Sequence, residues 1–170
     1  MIETDRLVLR PFCAEDAADV FEYLKEPMVN CFACMKVHSM EEAQKAVMER
    51  VEDAEYTFAI VLKENGPEPI GSIAVVGIHK KVDGAAMGYC MSRAHWGKGV
   101  MTEALTAVID FFFDEVGFNR IDADHAVDNP ASGRVMEKSG MRYEGTHRQA
   151  VRTNCGIVDI KKWAILKSDR

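Results

Sequence analysis

The chain has 170 residues, the length of one domain at the usual figure of about 150 residues per domain. Apolar residues make up 48% and charged residues 28%, a balance that supports a buried core and excludes a disordered chain. Lys and Arg number 21 against 27 Asp and Glu, a formal charge of −6; this excludes a general nucleic-acid binder, which needs a basic face, and is compatible with cationic substrates such as amines.

The run Met1-Ile2-Glu3-Thr4-Asp5-Arg6-Leu7-Val8-Leu9-Arg10-Pro11 lacks the long apolar core of a signal peptide. No apolar run approaches the ~20 residues of a membrane span, and Phe111-Phe112-Phe113 is bounded by charges. Cys13, Cys31, Cys34, Cys90 and Cys155 are odd in number and scattered, which reads as reduced thiols in a cytoplasmic protein. Cys31-Phe32-Ala33-Cys34 has the spacing of a redox or metal pair, but no second pair completes a ligand set, so no metal is expected.

Taken in order, Arg6-Leu7-Val8-Leu9-Arg10 alternates and stops at Pro11, which predicts a first strand. Residues 16–25 carry Val20, Phe21 and Leu24 at helical spacing. A second helix is expected over 40–53, with Ala43, Ala46, Val47 and Val51 on one face and Ser39 and Glu42 at capping-box spacing. Strands are expected over 56–62 and 70–78, separated by the turn signal Glu64-Asn65-Gly66-Pro67, and a fourth over 85–91. A helix over 100–116 follows Gly97 and Gly99. Residues 120–127 alternate as a fifth strand, 131–139 form a short helix closed by Gly140, and 143–166 can supply two more strands. The pattern is a mixed α/β fold, one domain over 1–170, with a sheet of six to seven strands and about four helices.

Two stretches carry chemistry. In Arg93-Ala94-His95-Trp96-Gly97-Lys98-Gly99-Val100-Met101-Thr102-Glu103-Ala104 a strand ends, two glycines permit a tight turn, and a helix begins. Such a turn aims free N–H groups and the positive end of a helix dipole at one spot, a cradle for a pyrophosphate. A plain tight turn explains the glycines equally, and neither a P-loop nor a dinucleotide fingerprint is complete. In the second, Asn129-Pro130-Ala131-Ser132-Gly133-Arg134-Val135-Met136-Glu137-Lys138-Ser139-Gly140-Met141, helix capping accounts for Asn129, Pro130 and Gly140 but not for Ser132.

Together with Thr4-Asp5-Arg6-Leu7-Val8-Leu9-Arg10 and Gly88-Tyr89, these stretches resemble the GNAT superfamily of acetyl-CoA-dependent N-acetyltransferases, with the closest likeness to its ribosomal-protein N-terminal (Rim-type) branch. The resemblance implies a sheet splayed open between the fourth and fifth predicted strands, near Met91 and Asp124. Pantetheine would add to the fourth strand through the backbone of Met91 and Arg93. The pyrophosphate would take main-chain N–H groups of Gly97, Lys98, Gly99, Val100, Met101 and Thr102. The usual Gln or Arg at the loop's start is Ala94 here, a small loss for a main-chain cradle. A main-chain N–H near Met91 would face the thioester oxygen, Asn129 would hold the pantetheine arm, and Ser132 would face the sulfur.

Transfer to an amine has two proton needs, a neutral attacking amine and a donor for the departing thiolate. The Tyr that many relatives use as donor is Met136 here; Ser132 matches the Rim-type alternative, beside the plainer reading of a hydroxyl bonded to its own helix. The Glu often found two residues before Gly-Tyr is Ala86. Glu103 is a candidate base, although the helix dipole already explains a Glu in the first turn. Alternation lets at most one of Asp124 and His125 point into the splay; His147 is either a substrate contact or a surface residue, and Trp96 is expected to pack on the helix.

The leading expectation is therefore an enzyme that moves acetyl from acetyl-CoA to a primary amine, without a metal, acting as a monomer or homodimer with no nucleic-acid or membrane partner. Ala86 and Met136 keep open a non-catalytic acetyl-CoA-binding module of the same fold, and the glycine loop a nucleotide binder. An α-amine, with a pKa of about 7.7–8.0, is partly neutral near pH 7 whereas lysine at about 10.4 is not, so a missing base favours a peptide N-terminus or a small amine of depressed pKa.

Overall fold

Alternating runs become strands and 3.6-period stripes become helices in the computed structural model, which is described for residues 1–33, 37–52 and 55–170. The strands are β1 (Ile2–Glu3), β2 (Leu7–Arg10), β3 (Thr57–Leu62), β4 (Pro69–His79), β5 (Gly84–Met91), β6 (Arg120–Ala126), β7 (Arg142–Thr153) and β8 (Gly156–Leu166). The helices are α1 (Ala17–Leu24), α2 (Pro27–Phe32), α3 (Met40–Glu52), α4 (Val100–Phe111) and α5 (Pro130–Lys138). All eight strands join one sheet in the order β1-β2-β3-β4-β5-β6-β8-β7.

The mixed α/β class holds, with one more strand and one more helix than expected. The extra strand is the two-residue β1, too short to alternate visibly. The extra helix, α2, has six residues, too few for a periodic stripe. Its start is marked instead by chemistry: Pro27 occupies the first turn, and the Glu26 carboxylate accepts hydrogen bonds from the Met28 and Val29 N–H groups at 2.9 and 3.1 Å.

Side-chain alternation divides the core in two. Phe58, Ile60 and Leu62 of β3 pack with Leu105, Val108, Ile109 and Phe112 from the α4 side, while Ala59 packs with Val20 and Leu24 of α1 and Val47 of α3. Neighbours along a strand face opposite ways, so α4 and α5 cover one face and α1–α3 the other. Each fully buried Leu, Ile or Phe contributes roughly 1.5–3 kcal/mol.

The expectation of five reduced thiols fails. Cys31 at the end of α2 and Cys155 in the β7–β8 turn form a disulfide across 124 positions of sequence, while Cys13 and Cys90 are free and Cys34 lies outside the described residues. Helix α2 was invisible in the pattern, so its docking on the β7–β8 turn was too. Asn154 strengthens the same junction: its N–H donates to the Ala33 carbonyl at 3.1 Å and its Nδ2 to the Asn30 carbonyl at 2.9 Å. Replacing Cys31 and Cys155 together by Ser should lower the unfolding free energy by about 2–4 kcal/mol, read from the urea midpoint of unfolding. An unchanged midpoint would show that the bond adds no stability.

Candidate active site

The site begins where a parallel strand pair stops. β5 and β6 pair in parallel from Gly84 opposite Arg120 to Met87 opposite Ala123, and no pairing continues beyond. From there β5 stays with β4 as far as Met91 opposite Gly71, while β6 stays with β8 as far as Ala126 opposite Ile160. Each strand is held by its other neighbour, so the sheet opens into a groove of about 900 Å³. Its described lining includes Tyr89, Cys90 and Met91 of β5, Asp124 and His125 of β6, the loop at Gly97 and Gly99, and Asn129 and Ser132 at the start of α5.

At the loop, Gly97 and Gly99 adopt φ of +74° and +76°, conformations that favour glycine. Gly99 is the N-cap of α4 and no side chain caps the helix, so the first N–H groups, on Val100, Met101 and Thr102, are left to an outside acceptor. No atom lies within 4 Å of where a Cβ on Gly97 would stand, so the turn is open to a ligand. Met91, Gly97, Gly99, Met101 and Thr102 border the groove, whereas Val100 is in the core and Lys98 and Arg93 are outside the lining. The Arg93 guanidinium pairs with Glu26 at 3.2 Å. Trp96 does not pack down as expected: it is 38% exposed, and its Nε1 donates to the Met91 carbonyl at 2.9 Å, tying the loop to the end of β5.

Glu103, a candidate base from the sequence, points elsewhere. Its carboxylate accepts from the Thr4 hydroxyl at 2.5 Å and from Arg6 Nε at 2.6 Å, and it is absent from the groove lining. Burial pushes this carboxyl up, but the Thr4 and Arg6 donors outweigh it and hold the pKa below the usual range. Arg6 also donates to the Lys98 carbonyl at 3.1 Å. Glu103 therefore fastens the segment before β2 to α4 and the glycine loop, and it faces no acceptor.

Ser132 behaves otherwise. Its hydroxyl donates to the Tyr89 phenol at 3.0 Å, and that phenol donates to the Ser132 carbonyl at 3.0 Å. The side chain is thus not bonded back onto its own helix. Burial raises the Tyr89 pKa above its ordinary value, with the Ser132 hydrogen bond opposing, so the phenol keeps its proton. Asn129 caps α5 by accepting from the Ser132 N–H at 3.4 Å. Sequence reasoning missed this use of Tyr89; Gly88-Tyr89 was the available signal. Met136 is 1% exposed and belongs to the core.

Asp124 and His125 leave β6 on opposite faces, as alternation requires, yet both border the groove, because it passes through the sheet at the splay. Asp124 is ion-paired to Lys162 at 2.6 Å. His125 is 6% exposed and its Nδ1 lies 2.8 Å from the Ala126 carbonyl, while its Nε2 is buried without a partner. Burial holds its pKa below the ordinary value. The ring lies against α5, where a Cβ on Gly133 would stand 2.6 Å from Nε2. His147 lines a separate hollow of about 400 Å³ with His79, Arg120, Asp122, Glu144 and Lys162. Among the described residues, no three His, Cys, Asp or Glu side chains cluster as metal ligands would, and no helix is long and apolar enough to cross a membrane.

Comparison with known proteins decides the family. A family model described as an acetyltransferase (GNAT) domain matches residues 6–142. The chain belongs to the GNAT acetyltransferase family. This acetyltransferase is 30% identical to the ribosomal-protein-serine acetyltransferase of Escherichia coli over 131 residues, covering 75% of this chain and 72% of that one. Among solved structures, a GNAT-family acetyltransferase from Bacillus anthracis superposes with a TM-score of 0.89 at 26% identity, covering 98% of both chains. The microcin C7 self-immunity acetyltransferase, solved with acetyl-CoA and AMP, shares the fold with a TM-score of 0.85 at 18% identity, covering 96% of this chain and 93% of that one.

The contact between His125 and Gly133 can be tested in this GNAT protein. Gly→Ala inside a helix normally adds about 1 kcal/mol of stability. Gly133→Ala should instead destabilise, and should turn stabilising when His125 is first replaced by Ala; additive effects in the double-mutant cycle would show that the two do not touch. Because the folded His125 binds its proton more weakly than the unfolded chain, stability should fall as pH drops below about 6.5, and the fall should be shallower in His125→Ala.

Proposed function

We propose that this protein transfers the acetyl group of acetyl-CoA to a neutral primary amine by direct attack on the thioester, with residues 1–170 acting as one catalytic domain. The observation that carries the reading is a single groove bordered both by the uncapped start of α4 and by the Ser132–Tyr89 hydroxyl pair. Three groups bound to one acetyl donor would need such an arrangement: phosphates at the loop, an extended arm in the splay, and a thioester beside a proton donor. A cytoplasmic location belongs to the same proposal, on the need for acetyl-CoA; the cysteine count no longer supports it.

Acetyl-CoA supplies the activated acetyl group when bound. The main-chain N–H groups of Gly97, Lys98, Gly99, Val100, Met101 and Thr102 would hold its pyrophosphate at the positive end of the α4 dipole. The unpaired edge of β5 around Met91, with Arg93 next to it, offers main-chain partners to the pantetheine amides. The Asn129 side chain would hold the same arm from α5. Ser132, whose hydroxyl donates to Tyr89 in this structure, would turn that proton to the departing thiolate, while Tyr89, protonated and anchored on the Ser132 carbonyl, holds the start of α5 beside β5. Glu103 has no part in this reading. Asp124 is the sole carboxylate in the described groove lining, and Lys162 already pairs with it. With the one carboxylate of the described lining already paired, an amine that arrives largely neutral is favoured, an α-amine over a lysine side chain.

Gly99→Val places a β-branched side chain at positive φ in the phosphate approach, and should weaken acetyl-CoA binding by tenfold or more, about 1.4 kcal/mol. Wild-type affinity in a folded Gly99→Val protein would put the cradle elsewhere. Ser132→Ala should lower kcat by about 10- to 100-fold with a smaller change in the acetyl-CoA requirement. Unchanged turnover would leave Ser132 a purely structural residue. At pH 7 a short peptide with a free N-terminus should be acetylated faster than the same peptide with its terminus blocked and one Lys added; the reverse order would require a general base at the groove.

A further inference from the structure

The acceptor half of the groove differs from the donor half in chemistry. It is bounded on one side by Leu24 at the end of α1 and by Met28, Val29 and Phe32 of α2, and on the other by Val151, Val158 and Ile160 of the β7–β8 hairpin. Val151 pairs with Val158 across the hairpin, and Ile160 is two residues further along β8, so these three side chains share one face. The two apolar walls are tied together by the Cys31–Cys155 disulfide and the Asn154 hydrogen bonds to Asn30 and Ala33. Cations border the groove at Arg50, Arg134 and Lys138, but the sole carboxylate in the described lining is Asp124, already paired with Lys162.

From this we infer that the acceptor is an amine attached directly to a compact apolar group, such as the α-amine of a Leu, Phe or Met residue, and is not a polyamine. The inference rests on the transfer reading above and adds the chemistry of the acceptor to it. Two physical points carry it. A polycation entering this half would give up its hydration for a wall whose described residues include no unpaired carboxylate, and charged groups moved from water without a partner are costly to bury. An apolar side chain entering the same space is favoured by roughly the area it removes from water. The disulfide and the Asn154 contacts hold the walls at a fixed separation, so the size of the apolar group is selected as well as its polarity. Val158 and Val151 are then specificity-determining residues, on a hairpin separate from the glycine loop and from Ser132.

The test uses the oxidised full chain with saturating acetyl-CoA, and measures release of the free thiol of coenzyme A with leucinamide, phenylalaninamide, glycinamide and spermidine. Leucinamide and phenylalaninamide should exceed glycinamide in kcat/KM by about tenfold or more, the scale on which apolar pockets discriminate, and spermidine should be the poorest acceptor. Val158→Thr, which keeps volume and adds a hydroxyl, should narrow the leucinamide-to-glycinamide ratio with the thermal shift caused by acetyl-CoA unchanged. Val151→Thr serves the same purpose if Val158→Thr fails to fold. Equal or faster use of glycinamide or spermidine, with the acetyl-CoA shift intact, would overturn the acceptor assignment and leave the transfer reading standing. No acetyl-CoA shift and no thiol release with any amine would overturn both.

Discussion

Everything distinctive in this molecule depends on one parallel strand pair that is too short. β5 and β6 share four register positions, from Gly84 and Arg120 to Met87 and Ala123, and then separate. A sheet does not open without compensation, because main-chain groups left unpaired in a dry interior cost free energy. Here each strand keeps its antiparallel partner on the other side, β4 for β5 and β8 for β6, so only the facing edges are exposed. Those edges offer extended main chain to a ligand that can act as the missing strand. The parallel relation also requires a long crossover, and α4 with its glycine turn is that crossover, so its uncapped start is brought to the rim of the gap.

Several contacts hold the edges of the gap in place, and most of them come from distant segments. Arg6 and Thr4 clamp Glu103 and the Lys98 carbonyl, which fixes the glycine loop from the amino-terminal side. Trp96 fixes the same loop from the β5 side through the Met91 carbonyl. On the opposite rim, Tyr89 of β5 bonds both the hydroxyl and the carbonyl of Ser132, so the start of α5 is tied to the strand beside it. The Cys31–Cys155 bond ties α2 to the β7–β8 turn. The groove is thus bordered by parts that hydrogen bonds and a disulfide tie to one another.

One feature works against stability. Gly133 sits inside α5, where the intrinsic helix propensity of glycine is poorer than that of alanine by about 1 kcal/mol, and the ring it makes room for, His125, buries an unpartnered Nε2. The pair stands next to Ser132, at the point where α5 meets the open end of β6. Local cost of this kind is common where a backbone must approach a ligand closely.

The sequence by itself determined the strands and long helices, because alternation and the 3.6-residue period are local properties that burial then enforces. It determined the two chemical stretches as well, since glycines before a helix and Asn-Pro before another fix local geometry whatever surrounds them. The family followed from those motifs in order. It did not determine α2, whose six residues carry caps but no period, nor the disulfide that depends on it, since residues 124 positions apart meet only when helix and hairpin dock. Tertiary structure alone decided the fates of the polar side chains. Glu103 went to Arg6, Asp124 to Lys162 and Ser132 to Tyr89, in each case because a segment distant in sequence supplied the partner, while Trp96 turned back to the Met91 carbonyl at the end of the preceding strand. A local pattern states which groups are present; which of them remain available to a substrate is set by neighbours that only the folded sheet brings together.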